Sequence, residues 1–221
     1  MMPRVRSLGL AGIVALTGCT QGDAPLGLEQ QEPTSLNHMS YEQKLRNAVT
    51  ISIEEQVINF GKDYDIFVKG EKVATVSGKN VRFFGGDVFT LKCEDGKVLS
   101  HEKEHKRFLS LNRAASCYDG NGNLTGYIGE EQIRDLFSFS YVFHFYDAEK
   151  NEIGTSRKLG KTAFNSHKLY DNEGNADYDI DKRLTFGGDK FTLKVLDFES
   201  SIPLEYAIFI TCIEDAISDK H

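Results

Sequence analysis

The sequence predicts a mainly β domain, a large antiparallel sheet closed on itself, with one buried helix at its carboxy-terminal end. From Val49 onward, short alternating runs are broken by Gly, Asn and Asp, the pattern of antiparallel strands joined by tight turns. Five segments at regular spacing carry the residues of hairpin tips. Pro203 to Ile217 is apolar nearly all round, as befits a segment buried on every side. A sheet of so many hairpins removes its exposed edges by closing.

The chain opens with Arg4 and Arg6, an apolar stretch from Leu8 to Leu16, and then Leu16-Thr17-Gly18-Cys19. These are the parts of a secretory signal, here ending in a lipobox: residues 1 to 18 read as a lipoprotein signal peptide. The apolar stretch is far shorter than the roughly 18 residues a membrane helix needs, and Gly9 and Gly12 interrupt it. Lipobox chemistry places a diacylglyceryl group on the Cys19 thiol, cuts before that residue and acylates the new amine. Two or three acyl chains, at roughly 0.8 kcal/mol per buried methylene, then hold the protein to its membrane. Thr20 follows where Asp would favour inner-membrane retention, so an outer-membrane destination on the periplasmic face is expected if the host is Gram-negative.

Residues 19 to 48 read as the lipidated cysteine and a flexible tether rich in Gln, Glu, Gly, Pro and Ser, in which Ser40 and Gln43 could cap a short helix ending at Asn47. The barrel domain is expected over 49 to 217, with 218 to 221 as a tail. Within it, Phe84-Gly85-Gly86-Asp87-Val88-Phe89-Thr90-Leu91-Lys92 is repeated at Phe186-Gly187-Gly188-Asp189-Lys190-Phe191-Thr192-Leu193-Lys194, with a looser copy at Phe60-Gly61-Lys62-Asp63-Tyr64. In each, glycine permits a sharp reversal and the following run puts Phe and Leu on one face, Thr and Lys on the other.

The predicted tips are Val68-Lys69-Gly70-Glu71, Glu94-Asp95-Gly96, and three of one kind: Tyr118-Asp119 to Asn123, Tyr146-Asp147 to Asn151 and Tyr170-Asp171 to Asn175. Asp and Asn close such turns through their own side chains, so no ligand is needed to explain them. Pro203 suits a first helical turn and Glu205 the positive end of the helix; the β-branched residues in Ile208 to Ile213 leave one long buried strand as the rival reading.

Without residues 1 to 18 the chain keeps 24 Lys plus Arg against 33 Asp plus Glu, a net charge of −9. That balance argues against nucleic acid as a partner and against adhesion to anionic lipid through charge alone. Cys93, Cys117 and Cys212 remain besides Cys19. Cys93 and Cys117 hold matching places before acidic turns, which raises a disulfide between them; buried apolar thiols are the other reading.

These repeated phrases and the terminal apolar segment resemble the LURP-one-related family, over residues 49 to 217. The resemblance implies a tubby-like fold: a closed antiparallel barrel of about a dozen strands around a central apolar helix at the chain's end. Tubby proteins bind phosphoinositides through basic surface residues, and most LURP-one-related members have no assigned activity. No lipid-binding residue of the family has a matching position in this sequence.

Two motifs point to chemistry. His101-Glu102-Lys103-Glu104-His105 satisfies the H-E-x-x-H spacing of zinc peptidases, which places two His ligands and a water-activating Glu on one helical face. On a hairpin's return strand His101 and His105 share one face and Glu102 the other, so a solvated charged strand is the expected outcome. Asp119, Asn121, Asn123 and Glu130 occupy positions 1, 3, 5 and 12 of a calcium loop, but Leu124 stands where such loops need glycine. The expectation is a non-enzymatic membrane-anchored module without cofactor, its partner an envelope protein or lipid. A metal-dependent hydrolase and a carrier of a small apolar ligand are the alternatives.

Overall fold

A computed structural model describes residues 39–56, 62–79, 88–105, 114–135, 138–156, 167–183, 185 and 188–218. A short helix, α1 (Tyr41–Arg46), precedes twelve strands: β1 (Thr50–Glu55), β2 (Lys62–Val68), β3 (Glu71–Lys79), β4 (Val88–Cys93), β5 (Val98–His105), β6 (Ala114–Asp119), β7 (Leu124–Asp135), β8 (Ser138–Asp147), β9 (Glu152–Thr155), β10 (His167–Asp171), β11 (Ala176–Arg183) and β12 (Lys190–Val195). Helix α2 (Leu204–Ser218) ends the described chain. Each strand pairs antiparallel with its sequence neighbours, and β1 closes the ring on β12 from Thr50↔Lys194 to Glu54↔Lys190.

Strand alternation fills the lumen. In β4, Phe89 and Leu91 are buried while Lys92 is exposed; in β12, Phe191 and Leu193 are buried while Lys194 is exposed. The repeated phrase therefore places its faces as predicted, while its first residues at 60–61, 84–87 and 186–187 lie outside the described residues. Gly188 takes a φ of 102°, left-handed as the reversal before β12 requires.

The terminal segment is a helix. Tyr206, Ala207, Ile208, Phe209, Ile210, Thr211 and Cys212 of α2 are all buried on consecutive positions, as befits a helix surrounded on every side. The strand rival fails because every wall position is already paired: the barrel closes without it. Tyr206 Oη lies 3.1 Å from Thr125 Oγ1, Tyr178 Oη donates to the Ile202 carbonyl at 2.8 Å, and Glu205 meets Arg46 at 2.8 Å.

The folded unit begins earlier than the strand alternation indicates. Ser40 Oγ accepts from Gln43 N and the Gln43 side chain accepts from Ser40 N, a reciprocal capping box. Leu45 and Ala48 then enter the core, so α1 belongs to the unit spanning Asn37–His221 and not to the tether expected over 19 to 48.

All five predicted tips form turns and lie at one mouth of the barrel, because odd strands from β1 to β11 start there and even strands end there. Three share one geometry. Asp119, Asp147 and Asp171 each accept from the backbone N–H and the side-chain amide of the Asn four residues on, at 2.8–2.9 Å. Those hydrogen bonds hold all three carboxyls below the usual carboxylate range. The fourth turn position has positive φ in each: Gly122 at 86°, Gly174 at 86°, and Lys150 at 69°. A side chain there costs about 1–2 kcal/mol, offset in part by the greater unfolded entropy of glycine. Lys150 also rests over the Tyr127 ring at 5.7 Å. Lys150→Gly is therefore expected to stabilise the protein by only about 0.5 kcal/mol, seen as a raised urea midpoint at unchanged slope.

Candidate functional site

The opposite mouth gathers titratable side chains around the last turns of α2. Tyr64 comes from the start of β2, His167 from the start of β10, Lys182 from the end of β11, and Asp189 precedes β12. Helix spacing brings Glu214 and Asp215 to the same place, one turn beyond the apolar run. Lys182 Nζ reaches Asp189 Oδ2 at 2.6 Å and Asp215 Oδ1 at 3.1 Å, and lies 5.3 Å from the Phe191 ring centre. Tyr64 Oη donates to Asp215 Oδ2 at 2.9 Å and lies 3.2 Å from the Cys212 carbonyl oxygen.

The arrangement runs against the helix dipole. Two acids stand in the last turns of α2, where partial negative charge accumulates, and no basic residue of the helix offsets them. Lys182 supplies the missing charge from the wall. Burial works against its ammonium, but the hydrogen bonds and charges of Asp189 and Asp215 outweigh it, so its pKa is raised. Asp189 is also raised, because burial outweighs Lys182. Burial pushes the Tyr64 hydroxyl far up, so it stays a donor.

His167 Nε2 lies 3.3 Å from Glu214 Oε2 on the other side of the helix end. Burial pushes the histidine down to about 4, with Asp181 opposing, and pushes Glu214 up to about 8, with Lys182 opposing. Both shifts disfavour charge, so the pair is neutral at neutral pH with its proton on the carboxyl.

The linked effect on stability has a definite sign. Glu214 keeps its proton in the folded state while the unfolded carboxyl loses it above about 4.5, which erodes stability until pH reaches about 8. His167 stays neutral while the unfolded imidazole gains a proton below about 6.5, which erodes stability as pH falls to about 4. Between about 4.5 and 6.5 the two slopes oppose each other. Above 6.5 only Glu214 acts, so unfolding free energy is expected to fall by about 2 kcal/mol from pH 6.5 to 8. Urea titrations across that interval check this; Glu214→Gln should flatten the slope.

The predicted motifs fall elsewhere. His101 and Glu102 occupy successive positions of β5, hence opposite faces. Glu102 is fully buried, which corrects the expectation of a solvated strand: alternation on a closed wall turns one face of every strand into the lumen. The His105 side chain lies outside the described residues. Asp119, Asn121 and Asn123 form the turn described above, Asp119 Oδ1 accepting from Asn121 N at 2.9 Å and Asn123 N at 2.8 Å. Glu130 lies within β7, beyond that turn, and its side chain is outside the described residues. Among the described residues, no group of three or more His, Cys, Asp or Glu converges as a metal site.

Cys93 and Cys117 are free buried thiols, as is Cys212. The disulfide fails on topology: β5 lies between β4 and β6, and two strand spacings of about 4.8 Å exceed the roughly 7 Å that a disulfide can span. Burial raises Cys93 to about 11 and Cys117 well above its ordinary value. Cys19 lies outside the described residues.

Sequence reasoning missed Tyr64, His167, Lys182, Glu214 and Asp215 as a group. The available signal was Glu214-Asp215 closing an otherwise apolar helix, an acidic end that calls for a cation from elsewhere. No family model, curated protein or solved structure matches this chain.

Proposed function

We propose that this chain is a lipid-anchored envelope protein whose barrel serves as a non-enzymatic binding or structural module. The observation that carries the second half of this reading is the occupant of the barrel. Ile208, Phe209 and Ile210 fill the lumen with no exposed surface, so the chain's own helix takes the space in which a barrel enzyme or carrier would hold its ligand. The side chains gathered at the helix end answer one another: Lys182 is shared by Asp189 and Asp215, and Tyr64 donates to the other oxygen of Asp215. Such a cluster locks a helix in place. The tubby-like reading is supported by the agreement between the expected barrel-around-helix plan and the ring of twelve strands around α2.

The anchor rests on Leu16-Thr17-Gly18-Cys19. Among the described residues no helix is long and apolar enough to cross a membrane. The attachment that motif implies is acyl chains on Cys19, at the periplasmic face of the outer membrane in a two-membrane envelope. Expression in a bacterial host followed by detergent phase partition tests it. The native chain should enter the detergent phase with an N-terminal peptide heavier by its acyl groups; Cys19→Ser should remain aqueous. An unmodified native Cys19 would overturn the anchor.

A further inference from the structure

Each of the five hairpins carries one extra residue on its returning strand, where the register shifts by a position: Val73, Leu99, Thr125, Ile153 and Asp177. Val73, Leu99 and Ile153 are apolar and pack in or against the core. Thr125 is neutral and meets the Tyr206 hydroxyl at 3.1 Å. Asp177 is the one ionisable residue of the five, and it is 1% exposed. Its Oδ1 has no hydrogen-bond partner among the described residues, and its Oδ2 accepts from Ser200 Oγ. A buried carboxylate left with a single donor carries a desolvation penalty that the protonated acid avoids.

Ser200 belongs to the link between β12 and α2, the covalent route from the wall to the helix inside it. The Asp177 carbonyl accepts from Leu196 N at 2.8 Å and from Asp197 N at 3.3 Å, and Ser201 Oγ donates to the Ile153 carbonyl at 2.8 Å. Leu196 and Phe198 are exposed, so side-chain burial holds little of the link before Ile202. Ser200 fastens it. Its Oγ accepts from Ile202 N at 3.0 Å, and its single hydrogen has two acceptors within reach, Asp177 Oδ2 and the Ile202 carbonyl at 3.0 Å. With Asp177 ionised, that hydrogen goes to the carboxylate. With a proton on Oδ2, Asp177 donates to Ser200 and Ser200 donates to Ile202, so every hydrogen-bonding position of the hydroxyl is filled. The Ile202 carbonyl then accepts twice, from Ser200 and from Tyr178 Oη.

We propose that Asp177 holds a proton in the folded chain and that this proton fastens the link to the barrel, making residues 196 to 201 a strap that loosens when the carboxyl ionises. The charges acting on Asp177 are Asp171 from β10 and Asp197 from the link, both of which oppose its ionisation. Nearby cations are committed elsewhere: Lys194 of β12 lies 3.5 Å from Asp181, and Arg46 pairs with Glu205 of α2. Glu152 of β9 is paired with His144. Burial, with Ser200 opposing and the two aspartates adding, holds the Asp177 carboxyl above its ordinary value. A folded carboxyl that keeps its proton to higher pH than the unfolded one favours the fastened state below the ordinary carboxylate value. That preference is lost as pH rises through the folded midpoint. Ile202 stays fully buried beyond the strap, so what loosens is the link and not the helix.

The Asp177 carboxyl carbon, assigned through its own backbone and followed by carbon-13 NMR in the full-length chain, should bind its proton about ten-fold more tightly than Asp carboxyls of the same chain unfolded in urea. Hydrogen-exchange protection of the Leu196 and Ile202 amides should fall about ten-fold further than that of Leu193 in β12 as pH rises through that midpoint. Asp177→Asn presents an N–H where the acid presents its O–H, so its strap should stay protected across the same range. A midpoint at or below that of the unfolded chain overturns the proposal, and so does an unchanged pH dependence in Asp177→Asn. If Asp177→Asn does not fold, Ser200→Ala decides in its place: without the hydroxyl the strap should exchange rapidly at every pH, and a native pH dependence there overturns the fastening.

Discussion

Phe209→Ala is expected to destabilise the protein by about 3–5 kcal/mol, the range found when a buried aromatic is truncated in a core that cannot collapse around the gap. Phe209 has no exposed surface and lies midway along the buried run of α2. The barrel wall gives little room for relaxation: a closed ring of paired strands has no edge that can move inward without breaking a ladder. The effect should appear as a lower urea midpoint at unchanged slope, with native strand content kept below the transition. A loss under 1 kcal/mol would mean that the helix is not held inside the ring.

Lys182→Met is the second large effect, again about 3–5 kcal/mol, for a different reason. The substitution keeps most of the apolar stem and its place beside Phe191, but removes the ammonium shared by Asp189 and Asp215. Asp215 is fully buried and lies at the negative end of α2, with the Tyr64 hydroxyl still on its other oxygen. One hydroxyl cannot replace a cation there, so the carboxylate is left buried without its counter-charge. Adding Asp215→Leu to Lys182→Met should recover part of the loss, because removing both charges relieves the penalty that removing one creates. If the double variant were less stable than the single one by the full cost of Asp215→Leu alone, the two residues would not be coupled.

Much of the fold was legible because its signals are local. The three Tyr-Asp…Asn tips are closed by an Asp and the Asn four residues later, a contact that needs no help from the rest of the chain. The faces of β4 and β12 follow from alternation within six residues. The helix-forming end was legible through an apolar run too long and too uniformly hydrophobic for a wall strand. The α1 cap was also correctly expected, but not that Leu45 would join the core, since a six-residue helix carries too little periodicity to show what it packs against.

The candidate site was not legible. Tyr64 and Asp215 are separated by 151 positions, Lys182 and Asp215 by 33, and no spacing rule links residues brought together by ring closure. The HEKEH segment shows the converse: its letters fit a metal motif, yet on β5 alternation sends Glu102 into the lumen and His101 to the other face. Cys93 and Cys117 likewise look paired in sequence and are parted by one intervening strand.

By itself, then, the sequence determined strand phase, turn chemistry and the terminal helix, all of which arise from residues within a few positions of one another. Only the tertiary structure decided that the five tips share one mouth and that Asp215 of α2 meets Lys182 at the other. Those outcomes depend on how many strands the ring contains and where it closes, and contacts of that range are set by packing of the whole chain.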